Sequence, residues 1–232
     1  TNNLKHLDIR LEAQLANKAD GITVTLLQPL TLDGAQGGHL VLSRLAFSGP
    51  LDDITGNADA VLSGPGLPAV TLRSRSFHNG IEGFSGDVAL DAKFSFDMLR
   101  QAALQANGTA SFAKGDFAFT LRGCAPATLA AFHPGDSDMA QNIKGAICPA
   151  GPKTFTIDDA GWRFSALARD AAMIAPLGNV ALSDGGGMIA FSGRGAAMDG
   201  KITVTAARLS DRATPARFEP LTGNGTVSLQ DW

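Results

Sequence analysis

A hydroxyl nucleophile recurs in a fixed setting along this chain: Phe47-Ser48-Gly49, Phe84-Ser85-Gly86 and Phe191-Ser192-Gly193, with the variants Leu62-Ser63-Gly64 and Leu221-Thr222-Gly223. A serine hydrolase of the elbow type needs Gly-x-Ser-x-Gly between a strand and a helix, because a sharp turn must lift the hydroxyl clear of the sheet. In EGFSGDV the second glycine comes one residue early and a strand follows, and in AFSGRG no glycine precedes in register. The histidines His6, His39, His78 and His133 are scattered without metal-ligand spacing, although a histidine remote in sequence can still meet a serine in space. The acidic pairs Asp52-Asp53 and Asp158-Asp159 fall in turn-like stretches, where Asp is favoured for bonding the backbone. The glycine-rich SGPGLPAV and DGGGMIAFSGRG lack the Lys-Ser/Thr ending of a phosphate loop. These residues do not argue for an enzyme, a metal site or a cofactor.

Cys124 and Cys148 are the two thiols of the chain. In an oxidising compartment they would pair and close a loop of about 25 residues; in a reducing one they would stay free. Their spacing and the lack of further ligands do not suit zinc.

The elements around these residues read as strands. LDIRLEAQL places Leu7, Ile9, Leu11, Ala13 and Leu15 on one face and Asp8, Arg10, Glu12 and Gln14 on the other, the period of a half-buried strand. The same alternation returns at GITVTLL (Ile22, Val24, Leu26), DVALDAKFSF (Val88, Leu90, Ala92, Phe94, Phe96), GDFAFTLR (Phe117, Phe119, Leu121) and GKITVTAA (Ile202, Val204, Ala206). Dipeptides such as Asn79-Gly80, Asp184-Gly185 and Asp199-Gly200 suit tight hairpin turns. Two helical segments are predicted. One runs over 97–107, from Asp97 as N-cap to the Asn107-Gly108 stop; the other is a helical insert over 124–148, clamped to the sheet if its cysteines pair.

The expected fold is therefore mainly β, a single elongated domain over 1–232. Consecutive antiparallel hairpins form a curved, groove-like sheet or open barrel, with one or two short helices. Helices so short cannot cover the apolar face, which needs a second sheet or a partner that is not protein. Net charge is −3 with scattered Lys and Arg, so no nucleic-acid footprint is present. No segment has the roughly 18 consecutive apolar residues of a membrane-spanning helix, and the chain reads as a soluble piece of a longer protein.

The hairpins ending in F/L-S-G, the insert opened by RGC and closed by ICP, GWRFSA and GGGMIAFSGRG together resemble the periplasmic AsmA-like proteins, most specifically over Gly123 to Gly195. Within that group the chain is similar to the YdbH family of intermembrane phospholipid transport proteins. The resemblance implies a periplasmic segment of an inner-membrane-anchored protein that carries phospholipid acyl chains in an apolar β-groove between inner and outer membranes, with no catalytic residues. Groove candidates are Leu7, Ile9, Leu11, Ile22, Val24, Leu26, Val88, Leu90, Phe94, Phe96, Phe117, Phe119, Ile202 and Val204. In this reading each F-S-G ends a strand: its aromatic residue makes the final inward contact, its serine satisfies a local backbone group and its glycine permits the turn. The competing expectation is a closed β-sandwich serving as a structural or protein-interaction module of the cell envelope.

Overall fold

The computed structural model describes residues 12–18, 21–34, 37–96, 99–133, 136–194, 197–212, 221–222 and 225–229. Its strands are β1 (Ala13–Lys18), β2 (Gly21–Leu26), β3 (Leu30–Asp33), β4 (His39–Gly49), β5 (Asp53–Ser63), β6 (Ala69–Gly80), β7 (Gly83–Phe96), β8 (Leu99–Ala113) and β9 (Asp116–Leu121). They continue as β10 (Ala125–Phe132), β11 (Ala140–Pro149), β12 (Phe155–Asp158), β13 (Gly161–Ala175), β14 (Val180–Arg194), β15 (Ala197–Asp211), β16 (Leu221–Thr222) and β17 (Gly225–Leu229). All seventeen belong to one antiparallel sheet.

The order follows the chain closely. β1 pairs with β2, β2 and β3 lie end to end along β4, and each strand from β4 to β8 pairs with the next. β9 and β10 lie end to end along β8, and β12 and β11 along β13. β14 and β15 come next, with β16 and β17 sharing the last row. The sheet curls into part of a ring without closing as a barrel. It is one curved layer, not two packed sheets.

Bulges supply the curvature. Gln101 in β8, Asn142 in β11, Asp170 in β13 and Asp184 in β14 each have φ between 50° and 52° inside a strand, and the pairing register shifts beside each of them. An extra residue in one strand bends it and tightens its twist.

Both helical expectations are overturned. The residues 99–107 belong to β8, and the insert over 124–148 is the antiparallel pair β10–β11. Among the described residues the one helical turn is the 3-10 turn Pro176–Gly178. Ala, Gln and Leu favour helix locally, but Ala102, Ala106 and Ala110 alternate with exposed Gln105, Asn107 and Thr109 and are buried between neighbouring strands. Sheet packing outweighs a helix preference worth tenths of a kcal/mol per residue. Several expected turns also lie inside strands: Asn79-Gly80 ends β6 before a turn at Ile81-Glu82, while Asn107-Gly108 and Asp199-Gly200 are interior to β8 and β15.

Cys124 and Cys148 form a disulfide, with Cα atoms 4.0 Å apart. The bond spans two strands at the point where both are interrupted. Gly108 pairs with Leu121 and Leu104 with Ala127, so five residues face three; Pro149 pairs with Ala166 and Phe155 with Phe164, so five face one. Interrupted register is easily shifted, and the covalent link fixes it. Replacing both cysteines by alanine is expected to lower stability by about 3 kcal/mol, the loop-entropy value for a closed loop of roughly 25 residues. Urea denaturation of the variant beside the oxidised chain checks this; coincident curves would remove the disulfide from the account of stability.

Candidate functional site

Directly opposed residues of an antiparallel pair share a face, so the register traces each face across the sheet. One row runs Leu15, Val24, Phe47, Gly56, Phe77, Gly86, Ala110, Phe119, Phe155, Phe164, Phe191, Gly200, Leu229. From β1 to β15 it holds no polar residue. Beside it run Ile54, Asn79, Phe84, Phe112, Phe117, Ile157, Trp162 and Gly193. Toward the other end of the strands the same face turns aliphatic, as in Leu30, Leu42, Ala60, Leu72, Leu90 and Ala106.

The opposite face is hydrophilic. Its matching row is Ala16, Thr23, Ser48, Thr55, His78, Ser85, Ser111, Ala118, Thr156, Arg163, Ser192 and Asp199. The serines of the three F-S-G tripeptides therefore stand in one polar row, while each Phe and Gly faces the apolar side.

Close packing explains Gly86 of the tripeptide better than turn formation does, and the same packing recurs at Gly108 and Gly200 outside it. A Cβ on Gly86 would lie 2.9 Å from the Phe77 Cβ, one on Gly108 2.7 Å from the Phe119 Cζ, and one on Gly200 2.3 Å from the Phe191 ring. Each glycine makes room for the phenylalanine of the adjoining strand, the packing by which aromatic rings cover strand glycines. Phe47-Ser48-Gly49 does end β4, and Gly49, at φ +133° with the Asp53 carbonyl close by, does serve a turn. Phe84-Ser85-Gly86 instead begins β7.

The apolar face is the inside of the curl. Val88, Ala92, Ala106, Leu121 and Ala125 on this face are buried, and Ala166 is 0% exposed, whereas Ser48, Thr55, His78 and Ser85 on the other are exposed. Side chains converge on a concave face and diverge on a convex one. Yet the large rings are not closed off: Phe47, Phe77, Phe117, Phe119, Phe155, Phe164 and Phe191 are all of intermediate exposure, and Phe112 and Ile157 are 50% and 46% exposed. The ring contacts are lateral, Phe77 with Phe84 at 5.7 Å and Phe117 with Phe155 at 6.2 Å.

Leu7, Ile9 and Leu11 lie outside the described residues. Ile22, Val24 and Leu26 (β2), Val88, Leu90 and Phe94 (β7), Phe117 and Phe119 (β9) and Ile202 and Val204 (β15) all hold positions on the apolar face. Phe96 is paired with Leu99 beyond a register shift. The tripeptide reading already turns Phe47, Phe84 and Phe191 inward, whereas Phe77, Phe112, Phe155, Trp162 and Phe164 are absent from the groove candidates. These five share no local motif, and only the strand pairing brings them onto the face.

No family model matches the chain, and no curated protein or solved structure matches it either.

The titratable groups sit off this face or at strand ends. His78 bonds Asp53 at 2.7 Å and is opposed to Ser85, so serine, histidine and aspartate do meet on the polar face. All three are exposed, and no hydrogen bond among the described residues joins the Ser85 hydroxyl to the imidazole, the link a nucleophile needs. His39 pairs with Asp33 and His133 with Asp138. The Gln141 amide at 2.8 Å and then His133 at 2.7 Å hold the Asp138 carboxyl below the usual carboxylate range. No group of three or more metal-ligating side chains occurs among the described residues. A recess of about 650 Å³ opens on the polar side, lined by Thr23, Thr25, Ser48, Thr55, His78 and Ser85. A twisted sheet is saddle-shaped, so each face is concave along one diagonal.

Proposed function

We propose that this chain is a lipid-binding module, one segment of a longer periplasmic protein that carries phospholipid acyl chains on the concave face of its sheet between inner and outer membranes. The observation that carries this reading is the apolar row that crosses the sheet on a face that no second layer of described residues covers. Monomeric proteins rarely leave so large an apolar surface without a partner. Acyl chains suit it, since burial contributes about 0.8 kcal/mol per methylene and a partly open face would hold a lipid reversibly. The resemblance of Gly123 to Gly195 to the AsmA-like proteins supports the same function, and the disulfide is compatible with an oxidising compartment such as the periplasm. Among the described residues no helix is long and apolar enough to cross a membrane.

Native mass spectrometry of the chain purified gently from bacterial periplasm tests this. The expected result is protein carrying species in the phospholipid mass range. Bare protein, both as isolated and after exposure to phospholipid vesicles, would overturn the reading and favour an envelope scaffold.

A further inference from the structure

The recess of about 650 Å³ on the polar face lies on the far side of the sheet from the apolar row. Two neighbouring rows build it, one through Ser48, Thr55 and Ser85, the other from Asn57 past the β6 bulge to Ser76 and Asp87. With Thr23 and Thr25 at one end and Thr109 at the other, it reaches from β2 to β8, roughly 24 Å at about 4.8 Å per strand. Among the described residues, the hydroxyls of Thr23, Thr25, Ser48, Ser76 and Ser85 and the amide of Asn57 have no protein partner. The charges in the recess are already matched. Arg122 pairs with one oxygen of Asp87, which also accepts from Thr109 at 3.4 Å, and Asp53 pairs with His78 at 2.7 Å.

We propose that this recess binds a neutral saccharide several sugar units long. A sugar hydroxyl both donates and accepts, and so do the five hydroxyls and the amide that face it, so each can meet the ligand in either sense. A phosphate or sulfate group would find no unpaired cation among the lining residues. A metal ion would find one carboxylate, already held by Arg122, and no group of three ligating side chains among the described residues. A protein partner needs apolar anchors. Ala46 is the one apolar side chain on this side of the recess, because Phe47 and Phe77 border it with their rings turned to the other face. The length spanned by the two rows suits an oligomer rather than a single ring. Nothing in the site depends on the lipid reading, which concerns the opposite face.

NMR titration of the full chain with maltotetraose, cellotetraose and chitotetraose tests the site. At least one of these neutral sugars is expected to bind at millimolar concentration, with shifts confined to β2 and β4 to β8. S48A/S85A removes two hydroxyls from exposed positions and is expected to weaken that binding about tenfold, the worth of two neutral hydrogen bonds. S192A is expected to leave it unchanged, since Ser192 belongs to the same tripeptide and the same polar row but lies outside the recess. No shift with any of the three sugars, or binding that S48A/S85A leaves intact, would overturn the site. So would a preference for a sulfated tetrasaccharide over its neutral parent. Flotation with phosphatidylcholine vesicles carrying a glucosyl diacylglycerol separates two sources of the sugar. Capture above that of plain vesicles, lost in S48A/S85A, assigns a glycolipid head group; binding of the soluble tetrasaccharide without such capture assigns a glycan chain.

Discussion

Gly56→Val is expected to destabilise the chain by more than about 3 kcal/mol, beyond the usual range for an overpacked site. Gly56 sits between Phe47 and Phe77 in the apolar row. A Cβ there would stand 2.3 Å from the Ala46 carbonyl oxygen and 2.7 Å from both the Phe47 Cβ and the Phe77 Cζ. The ring of Phe77 could swing aside, but the Ala46 carbonyl belongs to the β4–β5 ladder, so relief requires the strands to part. Gly123→Ala is the control, because a Cβ at Gly123 meets nothing within 4 Å; it should change stability by less than about 0.5 kcal/mol, as surface substitutions do. Urea unfolding of the two variants decides the matter. Equal midpoints would mean that the row's glycines are not placed by the rings beside them.

The same glycines show where the sequence was legible and where it was not. Alternation in DVALDAKFSF and GDFAFTLR is a local property, and it specifies both the strands β7 and β9 and the face that their apolar residues share. An Asn-Gly or Asp-Gly pair has two causes that look alike from one strand: a turn needing positive φ, or a ring on the next strand needing space. At Gly108 and Gly200 the second cause holds, and the partners Phe119 and Phe191 lie 11 and 9 residues away along the chain. Only register tells the two apart. The helix expected over 97–107 failed for a related reason. Small residues at alternate positions satisfy both a helix-forming composition and a strand packed beneath Leu90 and Leu121, and the neighbours that choose between them are not local. The continuity of the apolar row was hidden in the same way, since each strand contributes one or two residues to it.

Phe117→Lys is expected to keep the fold and to weaken binding of a dibrominated stearic acid by roughly 70-fold, the equivalent of about 2.5 kcal/mol for a cation facing hydrocarbon. Phe117 is half-buried on β9, opposed to Phe112 and Ile157, both about half exposed. A lysine there can extend its ammonium past these neighbours into water. The loss to stability is confined to the edge contact with Phe155 and the buried part of one ring, about 1–2 kcal/mol. The bound chain has no such freedom: an ammonium beside the apolar row must be desolvated under it or must displace it. Ala166→Lys supplies the contrast. Ala166 is on the same face but 0% exposed, in line with Pro149 and Ile189, so a lysine there has no route to solvent, and the variant is expected to lose its cooperative transition. Circular dichroism melts with fatty-acid titration separate the two residues. If Phe117→Lys also fails to fold, the face is closed core and the lipid reading falls; if it folds and binds with unchanged affinity, the ligand lies elsewhere.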